Sequence, residues 1–334
     1  EMSASLVGSE MCIRDRWRLS LTGALIWQKI STINMRRRKE QNPKSIMNKN
    51  SEILCSIKAW LTYAREYLEG RGIEDARQDA WLLMEYVCNI NKSFYYLHMN
   101  DPMDEEDAAQ YQELLRRRGS HIPVQYLIGE AWFYGQPYQV NENVLIPRQD
   151  TEVLIEEALQ HLEPGMRILD LCTGSGCILL TLVRHASVTG AGSDISPKAL
   201  EVARKNEKAQ HLKGCTWIES DLFENIGGAF DMIVSNPPYI ATKVIPTLME
   251  EVRNHEPILA LDGHEDGLYF YRKIVEQAPE YLKPGGWLCM EIGYDQREAL
   301  YTLLNDTGYI NVEIKKDLAD LPRVAIAQWR EAEH

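Results

Sequence analysis

The segment that most restricts the possible folds is residues 167–177, where an apolar stretch leads into a turn with two glycines. The stretch ends near Asp170, and Gly174 and Gly176 precede a second apolar run. Glycine has no Cβ, so the backbone can pass close to a ligand there, and a helix start attracts polar or anionic groups. The pattern predicts a strand, a tight turn and a helix of an α/β fold. It leaves open whether the turn binds a ligand.

Acidic residues end the next two predicted strands. Asp194 follows residues 189–193, and Asp221 follows residues 216–220. Ligands of open α/β sheets bind at the carboxyl edge of the strands, where we expect both acids to lie. There Asp194 could accept hydrogen bonds from a ribose diol, in NAD as well as in S-adenosylmethionine, so this residue does not distinguish the two cofactors. Asp221 could accept a hydrogen bond from an adenine amino group. Asp221 could equally be a helix cap or turn residue.

A fourth apolar stretch, residues 231–235, is followed by Asn236-Pro237-Pro238-Tyr239. The amide oxygen of Asn236 can accept a hydrogen bond from an NH2 group. Pro237 has no N–H, so the turn can direct carbonyl groups at the same NH2, while Tyr239 offers a ring face to a flat group. The segment resembles the site of methyltransferases that modify a planar amide or amine nitrogen. A rigid strand-to-loop turn is the alternative.

Three longer motifs carry a more specific resemblance: Leu-Ile-Pro-Arg-Gln-Asp-Thr-Glu at 145–152, Glu-Val-Arg-Asn-His-Glu-Pro at 251–257, and Ala-Leu-Asp-Gly-His-Glu-Asp-Gly-Leu at 260–268. From about residue 50 onwards the chain resembles the release factor glutamine methyltransferases (the HemK/PrmC family). The resemblance implies methyl transfer from S-adenosylmethionine to the side-chain amide nitrogen of the glutamine in the Gly-Gly-Gln motif of class 1 peptide chain release factors. It also implies a seven-stranded Rossmann-like class I methyltransferase domain, preceded by a small helical-bundle domain and a β-hairpin linker.

The resemblance also assigns a site. The catalytic residues would be Asn236, Pro237, Pro238 and Tyr239. The cofactor-binding residues would be Asp170, Cys172, Thr173, Gly174, Ser175, Gly176, Asp194, Asp221, Leu222, Phe133 and Asn236. Cys172 stands where the family often has Gly, and Leu222 where an aromatic ring often covers the adenine. Phe133 could instead pack between the domains.

Periodicity divides the chain into four predicted parts. Residues 1–16 resemble translated sequencing-adaptor sequence, and we expect residues 1–46 to be a non-native or disordered leader, with the natural start at Met47 or Met35. Apolar residues recur at helical spacing in the next part, 47–127, and at alternate positions in 128–146, which predicts a β-hairpin. Residues 147–334 would form the methyltransferase domain. By resemblance, the helical domain helps to engage the release factor.

Composition limits the possible partners. The net charge is −13, although residues 1–50 contain ten Lys or Arg against four Asp or Glu. Such acidity argues against a large duplex-DNA footprint, yet a nucleic-acid methyltransferase acting on adenine N6 or guanine N2 of a flipped base stays an alternative. A nicotinamide-dependent or non-catalytic Rossmann protein would leave Asn236–Tyr239 unexplained. The seven cysteines include no Cys-x-x-Cys pair. We expect a cytoplasmic monomer without a metal site, a membrane span or stable nucleic-acid binding.

Overall fold

The computed structural model describes residues 56–330, and the predicted leader at 1–46 lies outside this range. The first part is a helical bundle, as the periodicity predicts. Its helices are α1 (Ile57–Glu69), α2 (Ala76–Cys88), α3 (Lys92–His98), α4 (Glu105–Arg118) and α5 (Val124–Ile128). The apolar stripes of α1, α2 and α4 form one core, in which the Tyr111 hydroxyl donates to the carbonyl of Ala80 at 2.8 Å. Helix α3 has no fully buried residue, which explains why periodicity does not predict it.

The predicted hairpin is present. Strands β1 (Glu130–Phe133) and β2 (Gln136–Gln139) pair antiparallel, with Tyr134 and Gly135 between them. Both turn residues have positive φ, 48° and 73°, as a two-residue hairpin turn requires. The backbone N–H of Tyr134 donates to Glu152 Oε1 at 2.8 Å. This hydrogen bond attaches the hairpin to the helix that begins at Thr151.

The remaining strands form a seven-stranded sheet, as expected for a class I methyltransferase fold. They are β3 (Arg167–Leu171), β4 (Thr189–Asp194), β5 (Cys215–Glu219), β6 (Phe230–Ser235), β7 (Leu282–Glu291), β8 (Ile310–Lys316) and β9 (Pro322–Gln328). The strand order is β5-β4-β3-β6-β7-β9-β8. The pairs from β5 to β7 are parallel, and β9 is antiparallel to both of its neighbours. The order reverses at β3 and β6, so a ligand crevice is expected beyond their carboxyl ends.

Helices cover both faces of the sheet. They are α6 (Thr151–Leu159), α7 (Cys177–Ala186), α8 (Pro197–Ala209), α10 (Tyr269–Gln277) and α11 (Arg297–Thr307), whereas the short α9 (Glu250–His255) has no buried residue. Along β6, Ile233 packs into one apolar cluster with Tyr271, and Met232 packs into the other with Leu179. Successive side chains of a strand point to opposite faces, so a strand covered on both faces is apolar throughout. None of the helices within 56–330 is long and apolar enough to cross a bilayer.

A buried arginine joins the helical bundle to α9. Arg118, at the end of α4, is 4% exposed; its Nε lies 2.6 Å from Asp79 Oδ2 and its side chain reaches Glu251 Oε2 at 2.7 Å. Nearby, His255 Nε2 lies 3.3 Å from the carbonyl of Ser120. The run Arg116–Arg118 forms the last turn of α4, where positive charges compensate the helix dipole. Its last member, Arg118, also binds Glu251 of the 251–257 motif.

Candidate active site

The four predicted strand ends meet at one edge of the sheet. In register, Asp170 lies between Gly192 of β4 and Val234 of β6, and Asp194 pairs with Glu219 of β5. The Ser235 hydroxyl donates to the carbonyl of Leu171 at 2.8 Å and joins the ends of β6 and β3. The glycine turn and the Asn-Pro-Pro-Tyr segment therefore begin side by side.

The two glycines of the turn have different surroundings. Gly174 has φ +54°, and a Cβ built there would meet no atom within 4 Å, so this side of the turn is open. A Cβ at Gly176 would lie 2.8 Å from the ring of Trp217, and one at Gly192 only 2.5 Å from it. Gly174 therefore leaves room for a ligand, whereas Gly176 and Gly192 leave room for the indole. Cys172 also has positive φ, 57°, a conformation that glycine adopts most readily.

Asp170 ties the turn to the start of α7. Its Oδ2 accepts from the Thr173 hydroxyl at 2.5 Å and from the backbone N–H of Leu179 at 3.3 Å. The residue is 0% exposed, and burial raises the pKa of its carboxyl to about 7. Among the described residues its Oδ1 has no hydrogen-bond partner. Thr173 and Ser175 are also buried, and contacts of these three side chains with a cofactor stay predictions.

Asp221 lines a cavity, and Asp194 directly precedes another of its lining residues, Ile195. Asp194 accepts from the backbone N–H of Gly174 through Oδ2 and from that of Ser196 through Oδ1, both at 2.9 Å. A carboxylate oxygen can accept a second hydrogen bond, so the Asp194 carboxylate still has capacity for a hydroxyl. Asp221 lines a cavity of about 350 Å³ together with Ile195, Glu219, Ser220, Glu224 and Asn225. This cavity lies where the ribose and adenine are predicted.

Leu222 and Phe133 are packed side chains. Leu222 is 6% exposed with φ 47°, and its carbonyl accepts from the Ser220 hydroxyl at 2.9 Å. Phe133 is 1% exposed and meets the Tyr138 ring edge-on, with 6.0 Å between ring centroids. It belongs to the apolar cluster beneath the hairpin, together with residues of the seven-stranded sheet and its helices. Their contact with the cofactor stays a prediction.

Behind Asn236 lies a hydrogen-bond network that motif comparison does not predict. Asn236 Nδ2 donates to Thr151 Oγ1 at 3.4 Å, and the Thr151 hydroxyl donates to Glu291 Oε2 at 2.5 Å. The Tyr239 hydroxyl donates to Glu291 Oε1 at 3.3 Å. Glu291 is 1% exposed, and burial raises its carboxyl pKa. Its place in the sequence could have indicated it, because Glu291 ends β7, at the same edge of the sheet as the predicted acids.

The motif at 260–268 packs against the backbone of Tyr239. A Cβ at Gly263 would lie 2.8 Å from the backbone carbons of Tyr239, so no larger residue fits without a shift. Gln296 Nε2 donates to the carbonyl of Tyr239 at 3.0 Å and to that of Gly267 at 3.2 Å. Pro237 and Pro238 are buried, while Asn236 and Tyr239 are half-buried. Hydrogen bonds and close packing therefore fix both the side chains and the backbone of the Asn236–Tyr239 turn.

Within 56–330 no group of three or more His, Cys, Asp or Glu residues is placed to hold a metal ion. Cys172 and Cys177 flank the glycine turn, and burial raises the pKa of both thiols, that of Cys177 to about 12. Both are therefore neutral thiols near pH 7 rather than nucleophiles or metal-binding thiolates.

Comparison with known proteins agrees with this architecture. Residues 59–129 match the family described as PrmC N-terminal domain, and residues 149–256 match the methyltransferase small domain. A release factor glutamine methyltransferase of Geobacter sulfurreducens is 40% identical over 275 residues, which cover 81% of this chain and 96% of the relative. Relatives of the same name from Caulobacter vibrioides and Clostridium acetobutylicum are 40% and 37% identical over 278 residues, covering 82% and 81% of this chain and 96% and 98% of the relatives. The chain therefore belongs to the release factor glutamine methyltransferase family.

Proposed function

We propose that this protein transfers a methyl group from S-adenosylmethionine to the side-chain amide nitrogen of the glutamine in the Gly-Gly-Gln motif of class 1 peptide chain release factors. One geometric observation supports the proposal independently of family membership. The hydrogen bond from Ser235 to Leu171 places the acceptor turn at Asn236 directly beside the glycine turn. A methyl donor over one turn and an amide on the other would be neighbours.

The residues at the strand ends suit the cofactor. S-adenosylmethionine supplies an electrophilic methyl group on a sulfonium. The open side of Gly174 would let the backbone approach the methionine part, and Asp194 has acceptor capacity left for the ribose hydroxyls. Asp221, beside the cavity, would accept from the adenine amino group. The conformation of the turn would depend on its other members, Cys172, Thr173, Ser175 and Gly176.

The Asn-Pro-Pro-Tyr segment would hold the glutamine amide. Asn236 Oδ1 and the Pro237 carbonyl would accept hydrogen bonds from its NH2 group, and the Tyr239 ring would pack against it. Two acceptors raise electron density on the nitrogen and fix its line of approach. Positioning of this kind can lower a barrier by ~7–11 kcal/mol.

No strong base is required, because the amide proton can leave after attack. Two histidines near the site have other contacts, which supports a structural role. His255 Nε2 lies 3.3 Å from the Ser120 carbonyl, and the His264 ring lies 4.2 Å from that of Tyr269, centroid to centroid.

We further propose a division of labour along the chain. Residues 47–127 would engage the release factor, 128–146 would connect the domains, and 147–334 would carry the chemistry. The acidic chain, at net charge −13, would act in the cytoplasm as a monomer and bind no nucleic acid stably.

The test is a methylation assay with labelled S-adenosylmethionine, with purified class 1 release factor and total nucleic acid offered in parallel. Mass spectrometry should locate the methyl group on the Gly-Gly-Gln glutamine, and a Gln→Ala release factor should accept none. Asn236→Ala should lower kcat by about 10² while the Kd for S-adenosylmethionine stays within twofold. Label in nucleic acid alone would replace the proposal by the base-methylating alternative.

A further inference from the structure

The side-chain amide of Asn236 can act as proposed only in one of its two orientations. An asparagine amide has a carbonyl oxygen that accepts and an NH2 group that donates, at opposite ends of one flat group. A half-turn exchanges them. With the oxygen towards the substrate NH2, the two groups form a hydrogen bond. With the NH2 towards it, two donors face each other and the substrate amide is repelled.

The neighbouring Thr151 can distinguish these orientations. Its hydroxyl has one proton, and that proton is directed to Glu291 Oε2, 2.5 Å away. The hydroxyl oxygen can then only accept from its other neighbour, Asn236, whose Nδ2 lies 3.4 Å away. An Asn236 oxygen on this side would meet a second acceptor. Thr151 therefore favours the orientation in which the Asn236 oxygen points away from it.

The direction of this chain of hydrogen bonds depends on Glu291 being an acceptor. Its other oxygen, Oε1, accepts from the Tyr239 hydroxyl at 3.3 Å. Burial has the largest effect on the pKa of the Glu291 carboxyl and raises it, and the charge of Asp150 acts in the same direction. The positive charge of Arg323 and the hydrogen bonds from the Thr151 and Tyr239 hydroxyls lower this pKa and favour the carboxylate. Both carboxylate oxygens thus face hydroxyl donors. A protonated Glu291 could instead donate to Thr151, which would then be free to donate to Asn236 and reverse the amide.

We propose that Glu291 and Thr151 are positioning residues that hold the Asn236 amide with its oxygen towards the substrate. The inference rests on the proposed function, since it names what orients the group that would bind the glutamine NH2. Both side chains are buried, at 1% and 2% exposure, and neither borders the open cavity at Asp221. They act through Asn236 and not on the substrate directly.

The matched pair of variants is Thr151→Val and Thr151→Ser. Valine has the shape of threonine without the hydroxyl, whereas serine keeps it. Thr151→Val should lower kcat/KM for the release factor roughly tenfold, the effect of one hydrogen bond of ordinary strength. Thr151→Ser should stay within about twofold of the unmodified enzyme. The Kd for S-adenosylmethionine should be unchanged in both.

A double-mutant cycle separates positioning from a general structural role. In an Asn236→Ala background, Thr151→Val should have no further effect on kcat/KM, because the group it orients is gone. An equal loss in both backgrounds, or an equal loss in Thr151→Ser, would overturn the proposal.

The orientation can also be measured without activity. In the unmodified enzyme with labelled asparagine, the Asn236 side-chain NH2 protons, assigned from their loss in Asn236→Ala, should show nuclear Overhauser effects to the Thr151 methyl group. Their absence would overturn the inference even if Thr151→Val fails to fold. If the enzyme leaves release factor unmethylated yet shows these contacts, the proposed function fails and the orientation stands.

Discussion

The carboxylate of Asp194 accepts a hydrogen bond from the backbone N–H of Gly174, with 2.9 Å between Oδ2 and the amide nitrogen. The end of β4 is thereby fastened to the turn that follows β3. The same side chain would also bind the ribose. We expect its loss to weaken cofactor binding more than it lowers the stability of the fold.

Asp194→Ala should weaken S-adenosylmethionine binding by at least about tenfold, since hydrogen bonds to charged groups contribute ~1.5–3 kcal/mol. Isothermal titration calorimetry measures this directly. Asp306→Ala removes an exposed carboxyl from α11 and should leave the Kd unchanged. An unaltered Kd in Asp194→Ala would remove this residue from the cofactor site.

The stability of the protein should respond to the pH through Asp170. Its folded-state pKa is raised by burial from 3.8 to about 7, so between these values the folded state holds a proton that the unfolded state has lost. Its contribution to the free energy of unfolding therefore falls as the pH rises from 4 to 7, by about 1.4 kcal/mol per pH unit, and is constant above.

Asp170→Asn should remove this component, because an amide does not titrate. Chemical denaturation at several pH values, with the two proteins compared at each, isolates the contribution of Asp170 from that of other carboxyl groups. The unmodified protein should lose stability relative to the variant between pH 4 and 7. A difference that is independent of pH would show that the carboxyl keeps an ordinary pKa in the folded state.

Much of this architecture follows from local sequence signals. Helical spacing predicts α1, α2 and α4, and the apolar stretches with turn residues predict the sheet and its acidic strand ends, because these patterns reflect neighbours along the chain. The different roles of Gly174 and Gly176 do not follow from the sequence. Only the position of Trp217 in the structure shows that Gly176 makes room for an indole ring.

The contacts that support the Asn236–Tyr239 turn could not be predicted in this way. Thr151 and Glu291 are 140 positions apart and meet only when α6 packs beside the end of β7. Gln296 likewise reaches the Tyr239 carbonyl across 57 positions. A buried polar side chain needs a partner, but one sequence does not reveal which distant residue supplies it.

The close packing at Gly263 should make alanine harmful there. The added Cβ would lie 2.8 Å from the Tyr239 backbone, so the active-site turn must shift or the 260–268 segment must move away. We expect Gly263→Ala to lower the free energy of unfolding by ~1–3 kcal/mol. The kcat should also fall, since the shift directly affects the Asn236–Tyr239 turn, which we propose holds the substrate amide.

Gly227→Ala is the matched control, because a Cβ at this glycine meets nothing within 4 Å. It should be neutral, or stabilising by ~0.4–1 kcal/mol through the less flexible unfolded chain. Denaturant unfolding together with steady-state methylation rates compares the pair. Equal behaviour of the two alanine variants would mean that the 260–268 segment adapts without disturbing Tyr239.

The buried ion pair of Arg118 should be worth more to stability than any exposed pair of the same helix. Arg118→Met would leave the Asp79 carboxyl buried without its partner, where burial already raises its pKa and only the arginine opposes that. Removal of one member of a buried pair costs about 3–5 kcal/mol, and urea unfolding should show a loss of this size. Arg116→Ala breaks the exposed pair with Glu113 and should change stability little.

The double variant Arg118→Met with Asp79→Leu separates the two possible causes. If the loss arises from the unpaired carboxyl, replacing Asp79 as well should restore most of it, because apolar side chains of similar size fill the space without a desolvated charge. If the loss arises instead from the contact with Glu251, the double variant should be no more stable than Arg118→Met. In that case Arg118 stabilises the protein mainly by attaching α9 to the bundle through Glu251, and its pair with Asp79 contributes less.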